Sequence, residues 1–124
     1  MDTKYIKNLN VKEKEIIVNA RTERPFSGEY NDFFQDGTYV CKACEVQLFE
    51  SGTKFNSNCG WPSFDNVIKG SVLRRRDLSL GRIRTEILCS NCEGHLGHVF
   101  EGENYTVENT RYCVNSLSLK FIPK

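Results

Sequence analysis

The stretch "RIRTEILCSNC", residues 82–92, decides the fold. In its first half Ile83, Thr85 and Ile87 alternate with Arg82, Arg84 and Glu86, the two-residue period of an antiparallel strand with one face on a core and the other in water. In its second half Cys89 and Cys92 stand two residues apart, so a tight turn can aim both thiolates at one centre. A strand that runs into such a knuckle predicts a β protein cross-linked by a metal ion.

The same features recur on either side. "TYVCKAC" (38–44) and "VQLFE" (46–50) flank a second knuckle at Cys41 and Cys44, and "SVLRRRDL" (71–78) precedes "RIRTEILC" across the turn-like "SLG". "RYCVNSLSLKFI" (111–122) closes the chain as one more extended segment. Upstream, Asn10 can cap a helix to about Asn19, with Glu13 three places later and a ragged apolar face of Val11, Ile16, Ile17 and Ala20. Pro25 and Gly28 then break regularity in "TERPFSGEY" (22–30). The expectation is a mainly β chain with one or two short N-terminal helices. No repeat or linker divides it, so residues 1–124 are expected to form one domain.

Composition narrows the function classes. The 124 residues are 39% hydrophobic and 27% charged with a formal net charge of +1, an ordinary soluble balance that draws the chain neither to nucleic acid nor to an anionic membrane. Arg74, Arg75 and Arg76 are followed by Asp77 and read as a solvated strand face rather than a phosphate site. "MDTKYIKNLN" has no apolar run and no window is long enough to span a bilayer, so a cytoplasmic location is expected. In a reducing compartment six cysteines point to metal ligands and redox catalysts rather than to a disulfide framework.

Cys41, Cys44, Cys89 and Cys92 form two C-x-x-C units, the donor set of a closed, structural Cys₄ zinc site holding one Zn²⁺. Such a metal contributes to folding itself, on the order of 10 kcal/mol in zinc-finger peptides. A thioredoxin-type redox motif would need a βαβ setting that is not present. His95 and His98, three and six residues beyond Cys92, are alternative ligands.

Cys59 and Cys113 are left without close partners. Cys59 lies in "NSNCGWPSF" (56–64), a loop by its Asn58, Gly60 and Pro62. If residues 111–121 are extended, Arg111, Cys113, Asn115, Leu117, Leu119 and Phe121 share a face that starts cationic and ends apolar. An adjacent guanidinium favours a thiolate, whereas burial opposes it, so Cys113 fits either a reactive thiol or a small core residue. "HLGHVF" (95–100) places the chain's only two histidines, His95 and His98, in one Gly-rich loop, where imidazole can donate a proton near neutral pH. Trp61, the lone tryptophan, is either a core anchor or an apolar wall for a substrate methyl or thioether.

Together "TERPFSGEY", "GTYVCKAC", "LFESGTKFNSNCGWPSF", "RTEILCSNCEGHLGHVF" and "RYCVNSLSLKF" resemble, in order, the sequence blocks of the B-type methionine sulfoxide reductases, the peptide-methionine (R)-S-oxide reductases, from about residue 10 to 122. The resemblance implies two antiparallel sheets in a β-tent, with zinc on Cys41, Cys44, Cys89 and Cys92 away from the reaction centre. It implies Cys113 as nucleophile, Cys59 as resolving cysteine, and Trp61 as the wall for the substrate methyl. His95, His98, Arg111 and Asn115 would surround Cys113 and the sulfoxide oxygen. It further implies oxidised proteins or peptides as substrate, a Cys59–Cys113 disulfide recycled by thioredoxin, and a monomer.

Two departures from the family pattern stand out. Asn58 occupies the place of a usual glycine before Cys59, and asparagine tolerates the left-handed backbone needed there. After "HVF" the usual Asp-Gly-Pro run is replaced by "EGENYTVENTRYC", which leaves Glu101 as the stand-in carboxylate for the histidines and Asn109 near another usual glycine. A non-catalytic zinc-binding module and a thiol-based redox sensor are the readings from other classes; both predict no turnover of a sulfoxide.

Overall fold

The structure, a computed structural model, describes residues 1–124. Two helices, α1 (Thr3–Ile6) and α2 (Val11–Ile17), precede nine strands: β1 (Gly37–Cys41), β2 (Gln47–Glu50), β3 (Lys54–Phe55), β4 (Ser63–Phe64), β5 (Val72–Asp77), β6 (Arg84–Cys89), β7 (His95–Glu101), β8 (Thr110–Val114) and β9 (Leu119–Pro123). They form two antiparallel sheets, β2-β1-β9 and β3-β4-β8-β7-β6-β5. The expected mainly β, two-sheet architecture with short N-terminal helices is what the chain adopts.

The capping reading of α2 holds in detail. Asn10 Oδ1 accepts from the Glu13 N–H at 2.8 Å and Glu13 Oε1 accepts from the Asn10 N–H at 2.9 Å, the reciprocal capping box. The helix stops at Ile17, two residues short of the expected end, because the chain turns left-handed at Ala20. Ile16 and Ile17 are buried, whereas Val11 and Ala20 face solvent.

Between the sheets lies an aromatic core. Phe49 of β2 stacks on Phe64 of β4 with centroids 4.2 Å apart, and Tyr39 meets Phe64 edge-on at 5.1 Å, so side chains from both sheets interlock. The closing segment is not one strand. After β8 a 3₁₀ turn at Ser116–Ser118 carries the chain from the larger sheet to the smaller, so the face expected to run from Arg111 to Phe121 ends at Asn115.

The alternation in "RIRTEI" is corrected as well. Ile83 precedes the strand and is 70% exposed, whereas Glu86 is buried, because residues 19–22 fold over the face expected to meet water. The Arg74–Arg75–Arg76 edge is solvated as expected, with Arg74 paired to Glu101 and Arg75 to Glu86.

Candidate active site

Two cysteine groups occupy different places. In the first, β1 ends at Cys41 and β6 ends at Cys89, and each strand runs into a knuckle of the same design. The Glu45 N–H returns to the Cys41 carbonyl and the Glu93 N–H to the Cys89 carbonyl, both at 2.8 Å, and Glu45 and Glu93 take positive φ. The four Sγ atoms of Cys41, Cys44, Cys89 and Cys92 all lie within 4.8 Å of one another, with Cys41–Cys92 at 3.6 Å and Cys44–Cys89 at 3.5 Å. Zn–S bonds of about 2.3 Å in a tetrahedron put sulfurs about 3.8 Å apart, so four soft thiolates at this spacing fit a metal ion. Neither histidine belongs to the cluster.

The second group lines a cleft of about 160 Å³, close to the ~150 Å³ in which an apolar cavity holds one benzene-sized molecule. Its floor is the β7–β8 ladder. His98 faces Cys113 and Phe100 faces Arg111 across the strands, and residues directly opposite share a sheet face, so all four side chains look into one space. Gly97 sits where any side chain would strike the Cys113 carbonyl. Across β4, Ser63 is the other neighbour of Cys113, and the loop before it brings Cys59 and Trp61 to the same cleft.

The Arg111 Nη1 donates to Cys59 Sγ at 3.3 Å, while its Nε and Nη2 donate to Glu103 at 2.8 and 3.2 Å. Cys59 also lies 3.5 Å from the Ser63 hydroxyl. The hydrogen bond from Cys113 draws the Cys59 thiol down to about 4, against the effect of burial. Cys113 is pushed well above the usual thiol range by that same bond and by burial, with the Arg111 guanidinium pulling the other way. Of the two thiols Cys59 is the more acidic, and it sits beside a fixed cation.

A SelR domain profile matches residues 9–123. The chain belongs to the SelR domain family. Among similar proteins, the peptide methionine sulfoxide reductase MsrB of Bradyrhizobium diazoefficiens is 52% identical over 111 residues, covering 88% of this chain and 78% of its own. That of Burkholderia lata is 44% identical over 121 residues, 97% of this chain and 85% of its own. The chloroplastic peptide methionine sulfoxide reductase B2 of Arabidopsis thaliana is 48% identical over 117 residues, 94% of this chain and 57% of its own.

Within this SelR domain the histidines lie on strand β7, not in a loop. Residues three apart on a regular strand face opposite ways, yet the His95 and His98 rings are 5.7 Å apart. A one-residue bulge between the Leu88–His95 and Ile87–Gly97 pairs resets the alternation at Leu96, and the Asn115 backbone N–H and Nδ2 both donate to the Leu96 carbonyl, at 2.9 and 3.1 Å.

Each imidazole has its own carboxylate, and neither is Glu101, which pairs with Arg74. His98 Nε2–H donates to Asp77 Oδ2 at 2.7 Å, and His95 Nδ1–H to Glu86 Oε2 at 2.6 Å. The His98 bond holds Asp77 well below the usual carboxylate range; burial lowers His95. Sequence reading missed Asp77, Glu86, Glu103 and Phe100. Phe100 was recoverable from two-residue spacing once β7 is a strand, and Asp77 from the hairpin register that sets it opposite Arg84. Asn58 adopts the left-handed backbone that asparagine tolerates, at φ 58°, and Asn109 does the same at 52°.

Proposed function

We infer that this protein reduces the R epimer of methionine sulfoxide in proteins or peptides. The observation that carries the inference is the joint presence of Cys113, Cys59, Arg111, His98 and Trp61 around one cleft of side-chain size; membership of the SelR domain family supports it. Cys113 is the nucleophile. Its thiolate, favoured by the Arg111 guanidinium, attacks the sulfoxide sulfur. The oxygen cannot leave without a proton, which His98, its imidazolium stabilised by Asp77, supplies. Sulfoxide, thiolate and proton give the sulfide and a Cys113 sulfenic acid. Cys59 then condenses with the sulfenic acid, releasing water and forming a Cys59–Cys113 disulfide that an external dithiol, thioredoxin, reduces by exchange.

Trp61 walls the pocket for the methyl group and Asn115 lines its floor, while His95 sits outside the cleft lining, bonded to Glu86. Three substituents fixed at once, methyl, oxygen and peptide chain, select one epimer at sulfur. Cys41, Cys44, Cys89 and Cys92 hold one structural Zn²⁺, which ties the two knuckles together and takes no part in the reaction. No helix is long and apolar enough to cross a membrane; the protein acts as a cytoplasmic monomer without nucleic acid.

The test is turnover of separated R and S peptide sulfoxides with a chemical dithiol. Activity on R alone, abolished by Cys113→Ser, is expected. Absence of turnover with a Cys59–Cys113 disulfide that still forms under peroxide would favour a redox sensor instead.

A further inference from the structure

Glu23 lies outside the cleft, yet three of its groups reach the residues that shape it. Its backbone N–H donates to Asn115 Oδ1 at 2.9 Å, and its carbonyl accepts from the Trp61 indole N–H at 3.0 Å. Its side chain fixes the segment in place, because Oε1 accepts from the Leu117 N–H at 3.0 Å in the 3₁₀ turn after Asn115. The residue is 7% exposed, and Oε2 is fully buried with no hydrogen-bond partner. Gly28 leaves space for that oxygen: a side chain there would collide with it and with Ser116. A buried carboxylate is costly, and burial lifts its titration above the ordinary value against the opposing hydrogen bonds from Leu117 and Ser116. An apolar residue would avoid that cost but could not accept from Leu117.

The same segment continues the wall. Thr22 lines the cleft directly, and the Phe26 N–H donates to the Gly60 carbonyl at 2.7 Å, next to Cys59. Residues 22–26 thus form a strap between the Cys59–Trp61 loop and the end of β8, with Glu23 as its one buried anchor.

We propose that Glu23 is a positioning residue that sets the substrate pocket by holding Trp61 and Asn115 at a fixed separation. This rests on the functional reading above. It acts on substrate binding rather than on the sulfur chemistry, since Cys113, Cys59 and Arg111 make no contact with it.

The experiment compares wild type, Glu23→Ala, Glu23→Gln and Glu23→Asp on an R-sulfoxide peptide with a chemical dithiol, alongside emission from Trp61, the only tryptophan. Glu23→Ala is expected to raise KM about tenfold with kcat within about threefold of wild type, and to shift Trp61 emission as the segment, released from Leu117, carries its backbone carbonyl away from the indole. Glu23→Gln keeps an oxygen for Leu117 and should restore both readouts. If Glu23→Ala fails to fold, Glu23→Asp, whose carboxylate stops one methylene short, must show the same split in weaker form. Wild-type KM and emission in Glu23→Ala, or in Glu23→Asp where only that variant folds, would overturn the proposal. So would a loss confined to kcat. A wild type with no turnover would instead sink the functional reading itself.

Discussion

The two cysteine groups use one side chain for opposite ends. In the Cys41–Cys44–Cys89–Cys92 cluster four sulfurs converge from two knuckles, three of them in the hydrophobic core. In the cleft two half-buried sulfurs sit beside Arg111, itself locked by Glu103. Thiolates crowded together need a metal to neutralise them, and then become inert structural ligands. Thiols next to a guanidinium stay open to chemistry. Surroundings, not residue type, divide structure from reactivity.

The largest effect should come from the first group. Cys89→Ser, or stripping with a strong chelator, is expected to cost several kcal/mol and unfold the domain at room temperature; circular dichroism with metal analysis checks it. If the stripped protein kept its native spectrum and melting temperature, the cluster would not be a folding element and the contrast would fail.

Next comes the split within the cleft. Cys59→Ser should reduce one equivalent of sulfoxide per protein and then stop with thioredoxin as reductant, while melting within about 1 kcal/mol of wild type. Rapid-quench product analysis against steady-state turnover measures this. Sustained wild-type turnover with thioredoxin would mean that Cys59 does not resolve the sulfenic acid.

The smallest effect sharpens the electrostatics. Because Cys59 is drawn down to about 4, its thiolate persists as pH falls, so its alkylation by iodoacetamide should stay flat from pH 9 to about 5 and decline only below about 4. An ordinary thiol would lose about tenfold per unit across that range. Peptide mass mapping assigns the site. Cys113→Ala, which removes the donated hydrogen bond, should move the profile upward; an unmoved profile would show that Cys113 is not the cause.

Much of this was legible in the chain. The capping box at Asn10 and Glu13, the two knuckles, and the turn between β5 and β6 follow from residues within four places of one another, where spacing alone fixes geometry. The histidines were found but misplaced, because a Gly-rich string looks like a loop until β8 pairs with it and needs Gly97 bare. Glu101 is close to the histidines in sequence, yet Asp77 and Glu86 are the acids that bond them in space, brought there by the β5–β6–β7 register.

The sequence by itself determined the four cysteines whose cluster could hold a metal, the mainly β class and which cysteines lie outside that cluster, since these depend on local spacing and residue chemistry. Tertiary structure alone decided which carboxylate backs which histidine, that His95 and His98 share a face, and that Glu23 reaches Trp61 and Asn115. The carboxylate and Glu23 pairings join residues from 9 to 92 apart. Those of the histidines are set by strand register and by one bulge at Leu96, and a one-residue change in either would turn the side chains to the other face of the sheet.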